Sequence, residues 1–285
     1  MAFSINPTTQ ANWSPTKWSA DGLIGREAGL HVGKRCKDRS SEVNGEPMQQ
    51  LNIEEINHSD IAVVTIGDDG EVALSQPAAT NVALTIDQRK ATGILVRDDH
   101  DLQVKLKARS TWAPLMGYKL AEDFEDYLLA LENGVAAGYI LDVAGNIIDA
   151  TLLTMKASFD SANAPAESRY ALFSSNQQVQ ILADDRFSET TFVGPGEPPV
   201  TTGKLKPLYG FEPLWSSRVR RRTISGTDRT INMAWQKDAL CKAVQQAPKT
   251  KLQDVDIAQK ILMWHLYGAV RQRGDHFFLM RTTGL

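Results

Sequence analysis

The sequence predicts an α+β fold, and three observations lead there. Apolar residues alternate over one extended stretch, recur at helical spacing over another, and elsewhere strands and helices follow one another without the regular period of a doubly wound sheet. With 285 residues, 42% of them hydrophobic and 23% charged, the chain can bury a substantial core and is too apolar for a disordered polymer. No window approaches the about 18 uninterrupted apolar residues of a spanning helix. The start MAFSINPTTQANW has no charged region leading into an apolar one, so neither export nor a membrane partner is expected.

The first 30 residues are polar and rich in Pro, Ser and Thr, with too little apolar content for a core of their own, yet they hold Trp13 and Trp18. Such aromatics need a surface, which is either an adjacent subunit crossed by an arm or the chain's own body. A basic run follows, Arg26, Lys34, Arg35, Lys37 and Arg39. Then the sign reverses: from Ser40 to Gln88 there is no Lys or Arg, while Glu42, Glu46, Glu54, Glu55, Asp60, Asp68, Asp69, Glu71 and Asp87 are acidic. A second basic cluster, Arg218, Arg220, Arg221 and Arg222, comes much later. Isolated, such charges are solvated faces; on one polypeptide with a projecting arm, they are what steers one copy onto another and fixes register. The four arginines are therefore expected as inter-subunit charge partners.

Within the acidic window, Ile61, Val63 and Thr65 alternate with Ala62, Val64 and Ile66 before the turn residues Gly67-Asp68-Asp69-Gly70. Both faces of this hairpin carry apolar residues. A hairpin standing away from the body cannot bury both by itself, so contact with a second copy is expected, the alternative being that it folds back on its own domain.

From Val82 to Val96 the residues Val82, Leu84, Ile86, Ile94 and Val96 fall on alternate positions of one extended strand ending at Asp98, with Thr85 and Asp87 facing water. The period then becomes helical, with Leu120, Phe124, Leu128 and Leu131 on one side and Lys119, Glu122, Asp126 and Glu132 elsewhere on the wheel. Pro114 either opens this helix or kinks a longer one begun near Leu102, and Gly134 ends it. Ile147 to Phe159 reads as a helix with Ile148, Leu152, Met155 and Phe159 on its buried face. Arg169 to Phe173 is a short strand, Ser174 or Ser175 caps a helix over Gln177 to Asp184, and the Gly194 to Pro199 stretch is a loop. Ile257 to Tyr267, apolar nearly all round, is buried as strand or helix, and Phe277 to Met280 is a short buried run.

Catalytic patterns are weak. His31, His58, His100, His265 and His276 are scattered; His31 and Cys36 have no second pair to complete a metal site. The acid pairs Glu54-Glu55, Asp68-Asp69, Asp98-Asp99 and Asp184-Asp185 lie at turns or element ends, where they cap and solubilise. Gly194 and Gly196 are followed by prolines, Gly203-Lys204 lacks the rest of a phosphate loop, and no nucleophile elbow occurs. Cys36 and Cys241 have no partner motif, which suits reduced thiols. No enzyme activity, cofactor or metal is expected; a hydrolase using one of the acid pairs is the different-class alternative. An acidic chain without a base-reading module excludes sequence-specific nucleic-acid binding.

The run LTIDQRKATGILVRDD leading into a helix that ends EDFEDYLLALENG resembles the major capsid proteins of tailed bacteriophages, with the Hong Kong 97-like fold. SRYALFSSNQQVQILADDRF resembles that family's buried strand and short helix, TGKLKPLYGFEPLWSSRV its glycine-turned strand across the axial (A) domain, and Asp238 to Leu285 its closing part. The resemblance spans about Lys34 to the C-terminus and rests on order and spacing.

It implies an N-terminal arm over 1–45, an E-loop with its base strands over 46–98, a peripheral (P) domain with a long spine helix over 99–135, an A domain over 136–247, and a return to the P domain over 248–285, placed at the Ala247-Pro248 break. The implied function is a major head protein whose hexamers and pentamers close an icosahedral shell around phage double-stranded DNA, contacted without sequence specificity. Its implied location is the virion capsid, assembled in the host cytoplasm. An encapsulin-like nanocompartment shell is the alternative. The arm is too short to be a cleaved scaffolding segment, so a separate scaffolding protein is expected, with a portal at one vertex. Inter-subunit contacts are expected at Trp13, Trp18, Glu54, Glu55, Asp68, Asp69, Glu71, Arg218, Arg220, Arg221 and Arg222. Some relatives lock their shells with isopeptide bonds from an E-loop lysine. Here no lysine precedes Lys90, at the loop's base, so strength is expected from interfaces on the order of 2,000 Å² or more, or from an added cement protein.

Overall fold

The computed structural model describes residues 30–56, 63–66, 79–97, 108–188, 205–256 and 258–283. After a turn at 32–36 the chain forms β1 (Lys37–Asp38), α1 (Ser40–Val43), β2 (Gln50–Ile56), β3 (Ala79–Thr85), β4 (Gln88–Arg97) and the long helix α2 (Ala108–Leu129). Then come β5 (Ile140–Val143), α3 (Asp149–Ser161), β6 (Arg169–Ser174), α4 (Ser175–Leu182), α5 (Asp185–Ser188), β7 (Glu212–Ser216), β8 (Arg221–Ile224) and β9 (Thr227–Gln236). Three strands close it: β10 (Leu240–Val255), β11 (Ala258–Arg271) and β12 (Phe277–Thr282). The mixture of helix and sheet is the α+β class expected.

The strands form a four-stranded sheet in the order β1-β10-β11-β4, a six-stranded sheet in the order β5-β12-β9-β6-β7 with β8 on β9, and the pair β2-β3. The sheets divide the chain differently from the expected return at residue 248. β10 enters the four-stranded sheet at Leu240, and β12 goes back to the six-stranded one. Ala247-Pro248 does not break β10; it lies in a bulge between Gln246 and Lys249, where a residue without an N–H costs the ladder nothing.

The extended stretch from Val82 to Val96 is two strands, not one. β3 pairs with β2 and β4 with β11, and the chain turns between them at Ile86-Asp87. Gly268 shows why: a Cβ there would stand 2.1 Å from the Thr85 carbonyl oxygen, so the end of β3 crosses β11 in backbone contact. Leu84 and Ile86 consequently bury with Val43, Ile53, Cys241 and Ala243. Ile94 and Val96 instead pack under α2, with Met116, Leu120, Ile261 and Met263. Alternation survives the corner, which is why the sequence reads as continuous.

Helix α2 carries Pro114 inside it, so the chain is already helical from Ala108. Its apolar side changes partner along its length. Met116 and Leu120 lie on the four-stranded sheet, Phe124 meets the Tyr267 ring edge-on at 4.7 Å, and Leu128 and Leu129 enter the main core with Val32, Leu172, Met233, Trp235 and Leu279. Gly134, at φ +74°, ends it as expected. Arg271 then caps the last turns, donating to the carbonyls of Leu131 (2.9 Å), Asn133 (3.3 Å) and Gly134 (2.7 Å).

β11 resolves the strand-or-helix question and corrects its burial. Ile261, Met263, His265 and Tyr267 face the helix and are buried, but Trp264 is 40% exposed on the opposite face, which nothing described covers there. In the six-stranded half, Leu152, Met155 and Phe159 of α3 are buried as expected. Ile148 is not: as the N-cap it has extended backbone, and Ile147 takes the buried place. Ser174 caps α4 by accepting from the Gln177 N–H.

Candidate functional site

The acids of the long helix, off its apolar side, hold other parts of the chain. Glu125, 3% exposed, accepts from three successive backbone N–H groups, His31 and Val32 at 2.7 Å and Gly33 at 3.0 Å. Asp123 accepts from the Tyr267 hydroxyl at 2.9 Å and pairs with Lys90 at 3.8 Å. Glu122 and Asp126 share the Arg218 guanidinium, and Lys119 donates to Glu122 at 2.5 Å. The Lys119 hydrogen bond, against burial and with the Arg218 charge, holds the Glu122 carboxyl below its ordinary range.

Glu132, on the short 3₁₀ turn that extends the helix, is 4% exposed where a solvated acid was expected. Arg222 pairs with it at 3.1 Å and Arg220 at 3.4 Å. Burial nevertheless outweighs these cations and Arg281 and pushes its carboxyl up. The cluster expected at a subunit boundary is thus mostly engaged within the chain: Arg218, Arg220 and Arg222 fasten the six-stranded sheet to α2, and only Arg221 stands exposed without such a pair among the described residues.

The other expected contact residues divide by position. Glu54, exposed, and Glu55 lie in β2, at the base of the acidic excursion. Trp13, Trp18, Asp68, Asp69 and Glu71 lie outside the described residues, as do most of the expected hairpin and the Gly194 to Pro199 loop. Of that hairpin Val63, Val64 and Ile66 are described, all three exposed.

The four-stranded sheet has two unlike faces. One carries α2. Alternation and register put Arg89, Ala91, Gly93, Leu95 and Arg97 of β4, Lys260, Leu262 and Trp264 of β11, and Lys249 and Lys251 of β10 on the other. Leu95 is 59% exposed there, and a cavity of ≈ 330 Å³ opens beside Trp264, Ala91 and Arg89. Among the described residues no position on this face is acidic. An apolar strip with a cationic rim results, and the sequence hid it because its members come from two distant segments, β4 and the β10-β11 pair.

Among the described residues no three His, Cys, Asp or Glu side chains gather to hold a metal. Asp184 caps the Arg186 N–H at 3.1 Å, the structural role expected of such pairs. Cys36 and Cys241 are free and buried, and burial pushes both thiols up. They sit in different cores.

No protein-family model matches the sequence, and no curated protein matches it. Solved structures do match. The capsid of Cyanophage P-SCSP1u aligns with a TM-score of 0.76 at 13% identity, covering 96% of this chain and 94% of that one. A chain of Mycobacterium phage Che8 aligns at 0.73 and 18% identity, over 93% and 96%, and the mature capsid of bacteriophage PhiM1 at 0.74 and 12%, over 94% and 92%. Each likeness covers 93% or more of this chain, so this chain has the Hong Kong 97-like fold of tailed-phage capsid structures.

Proposed function

We propose that this protein is the major capsid protein of a tailed phage, many copies of which close an icosahedral shell around double-stranded DNA. One observation carries the reading: the similarity to phage capsid chains runs over nearly the full length of both partners. Hexamers and pentamers, a separate scaffolding protein, a portal at one vertex, and assembly in the host cytoplasm belong to this proposal. So does the division into an arm, an E-loop, a P domain around α2 and β10-β11, and an A domain around the six-stranded sheet.

The surfaces fit such a subunit. The lysine- and arginine-free window from Ser40 to Gln88 is complementary to the cationic rim around Leu95 and Trp264, so the acidic excursion of one copy lies on the outer sheet face of the next. Arg221 remains a candidate for a further contact. Electron microscopy and light scattering of the expressed chain with a phage scaffolding protein test the proposal. Closed shells are expected; a monomer under all conditions overturns it. Denaturing gels of purified particles should show monomer only, since the excursion offers no lysine for a cross-link.

A further inference from the structure

Three neighbouring strands of the six-stranded sheet place a row of arginines on the face that carries the end of α2. Arg222 of β8 and Arg229 of β9 are direct cross-strand partners, and Arg281 of β12, opposite Ile231, is the diagonal neighbour of Arg229. Ile224, Ile231 and Leu279 share the parity of these arginines on the same strands and pack in the main core with Leu128 and Leu129, which fixes the face. Arg220, whose carbonyl accepts from the Ile231 N–H at 2.9 Å, adds a fourth guanidinium. Like charges directly opposite one another in a sheet repel, so such a row needs anions.

The chain supplies two. Glu132 lies 3.1 Å from Arg222 and 3.4 Å from Arg220, and Asp142 lies 2.9 Å from Arg229 and 4.0 Å from Arg281. Among the described residues four cations thus meet two anions, a surplus of two positive charges. Burial makes the charged form of Glu132 costly, so it offsets the row less than a solvated acid would. Nor are the donors used up: Nη1 of Arg220 and Nε of Arg229 and of Arg281 are shut off from water and make no hydrogen bond to a described residue. The four side chains keep 20–39% exposure, so a ligand can approach them from solvent.

We propose that this row is a binding site for a small phosphate-class oxyanion, held by guanidinium groups from β8, β9 and β12. Guanidinium forks match the paired oxygens of a phosphate, and a polyvalent anion answers several cations at once, as a chloride ion cannot. Arg222 also donates to Asn133 Oδ1 at 2.6 Å, just past the 3₁₀ turn that extends α2. An ion bound here therefore braces the junction between the six-stranded sheet and the long helix. The site belongs to the single chain and does not depend on the capsid reading.

Calorimetric titration of the full-length chain with pyrophosphate, at an ionic strength held constant with chloride, should show saturable binding and a raised thermal midpoint. Arg229→Gln or Arg281→Gln should weaken binding about tenfold or more. Asp142→Asn, which frees Arg229 of its acid, should tighten it about threefold. Arg221→Gln removes an equal charge from the opposite face of the same strand and should leave it unchanged. Asp142 and Arg221 are both exposed, so these two variants decide the matter even if an arginine of the row is needed for folding. The inference is overturned by an absence of saturable binding, by no gain in Asp142→Asn, or by a loss in Arg221→Gln equal to that in the row. A short DNA duplex that binds these arginines where pyrophosphate does not would assign them to a polymer backbone, and overturns it too.

Discussion

Glu132 is a buried carboxylate beside two arginines that are themselves 35% and 39% exposed. Its folded-state pKa lies above its unfolded one because burial outweighs the cations, so the stability it contributes is present in acid and is lost as pH rises through the folded value. Replacing it by glutamine removes that neutral-pH cost, while Arg220 and Arg222 can rehydrate. Glu132→Gln should therefore be as stable as wild type or more so at pH 7, by up to about 1 kcal/mol, and the difference should vanish towards pH 4. Urea midpoints at the two pH values measure it; a loss at pH 7 that fades in acid would mean that pairing outweighs burial. Little of this was legible in the sequence. An acid in a helix is read as solvated unless its row is apolar, and the row of Glu125, Leu129 and Glu132 at i, i+4 and i+7 has one apolar member. The adjacent apolar pair Leu128-Leu129 was the available signal, since it widens the buried arc to include that row.

At the scale of elements, Gly268 decides where the chain can turn. Adding one carbon there drives β3 off β11 and opens the small core around Leu84 and Ile86, both 5% exposed or less. Gly268→Ala should cost about 3 kcal/mol, read as a lowered denaturant midpoint. Gly45→Ala, where no atom lies within 4 Å of the added carbon, should cost less, through its φ of +83° alone. Periodicity made α2, α3 and α4 legible because each has one buried side and local limits, such as Gly134 and the Ser174 cap. It could not show the corner at Ile86-Asp87, which is set by a glycine far along the chain.

On the scale of the whole molecule, the outer face of the four-stranded sheet carries bases without acids among the described residues, while the helix side mixes the two. If the outer face receives an acidic excursion, reversing Lys249, Lys251 and Lys260 to glutamate should slow assembly about 10–100-fold at moderate salt. Combining it with Asp68→Lys, Asp69→Lys and Glu71→Lys should restore much of the rate. Rising salt should slow wild-type assembly as the screening length falls from about 8 Å at 0.15 M to about 3 Å at 1 M. A combined variant no faster than the first, by light scattering, would rule out this pairing. Net charge alone could not reveal this face, because a total of −3 is summed over the whole chain.

The parallel pairing of Lys37-Asp38 with Cys241-Lys242 carries a consequence for the order of events during synthesis. The strand that pairs with Lys37-Asp38 is made some two hundred residues after it, roughly 10–40 s later at ordinary elongation rates. On the ribosome residues 31–33 can meet α2 as soon as it is made, but Lys37-Asp38 has no partner strand until β10 follows. Completion of this pairing is thus a late, long-range step of folding.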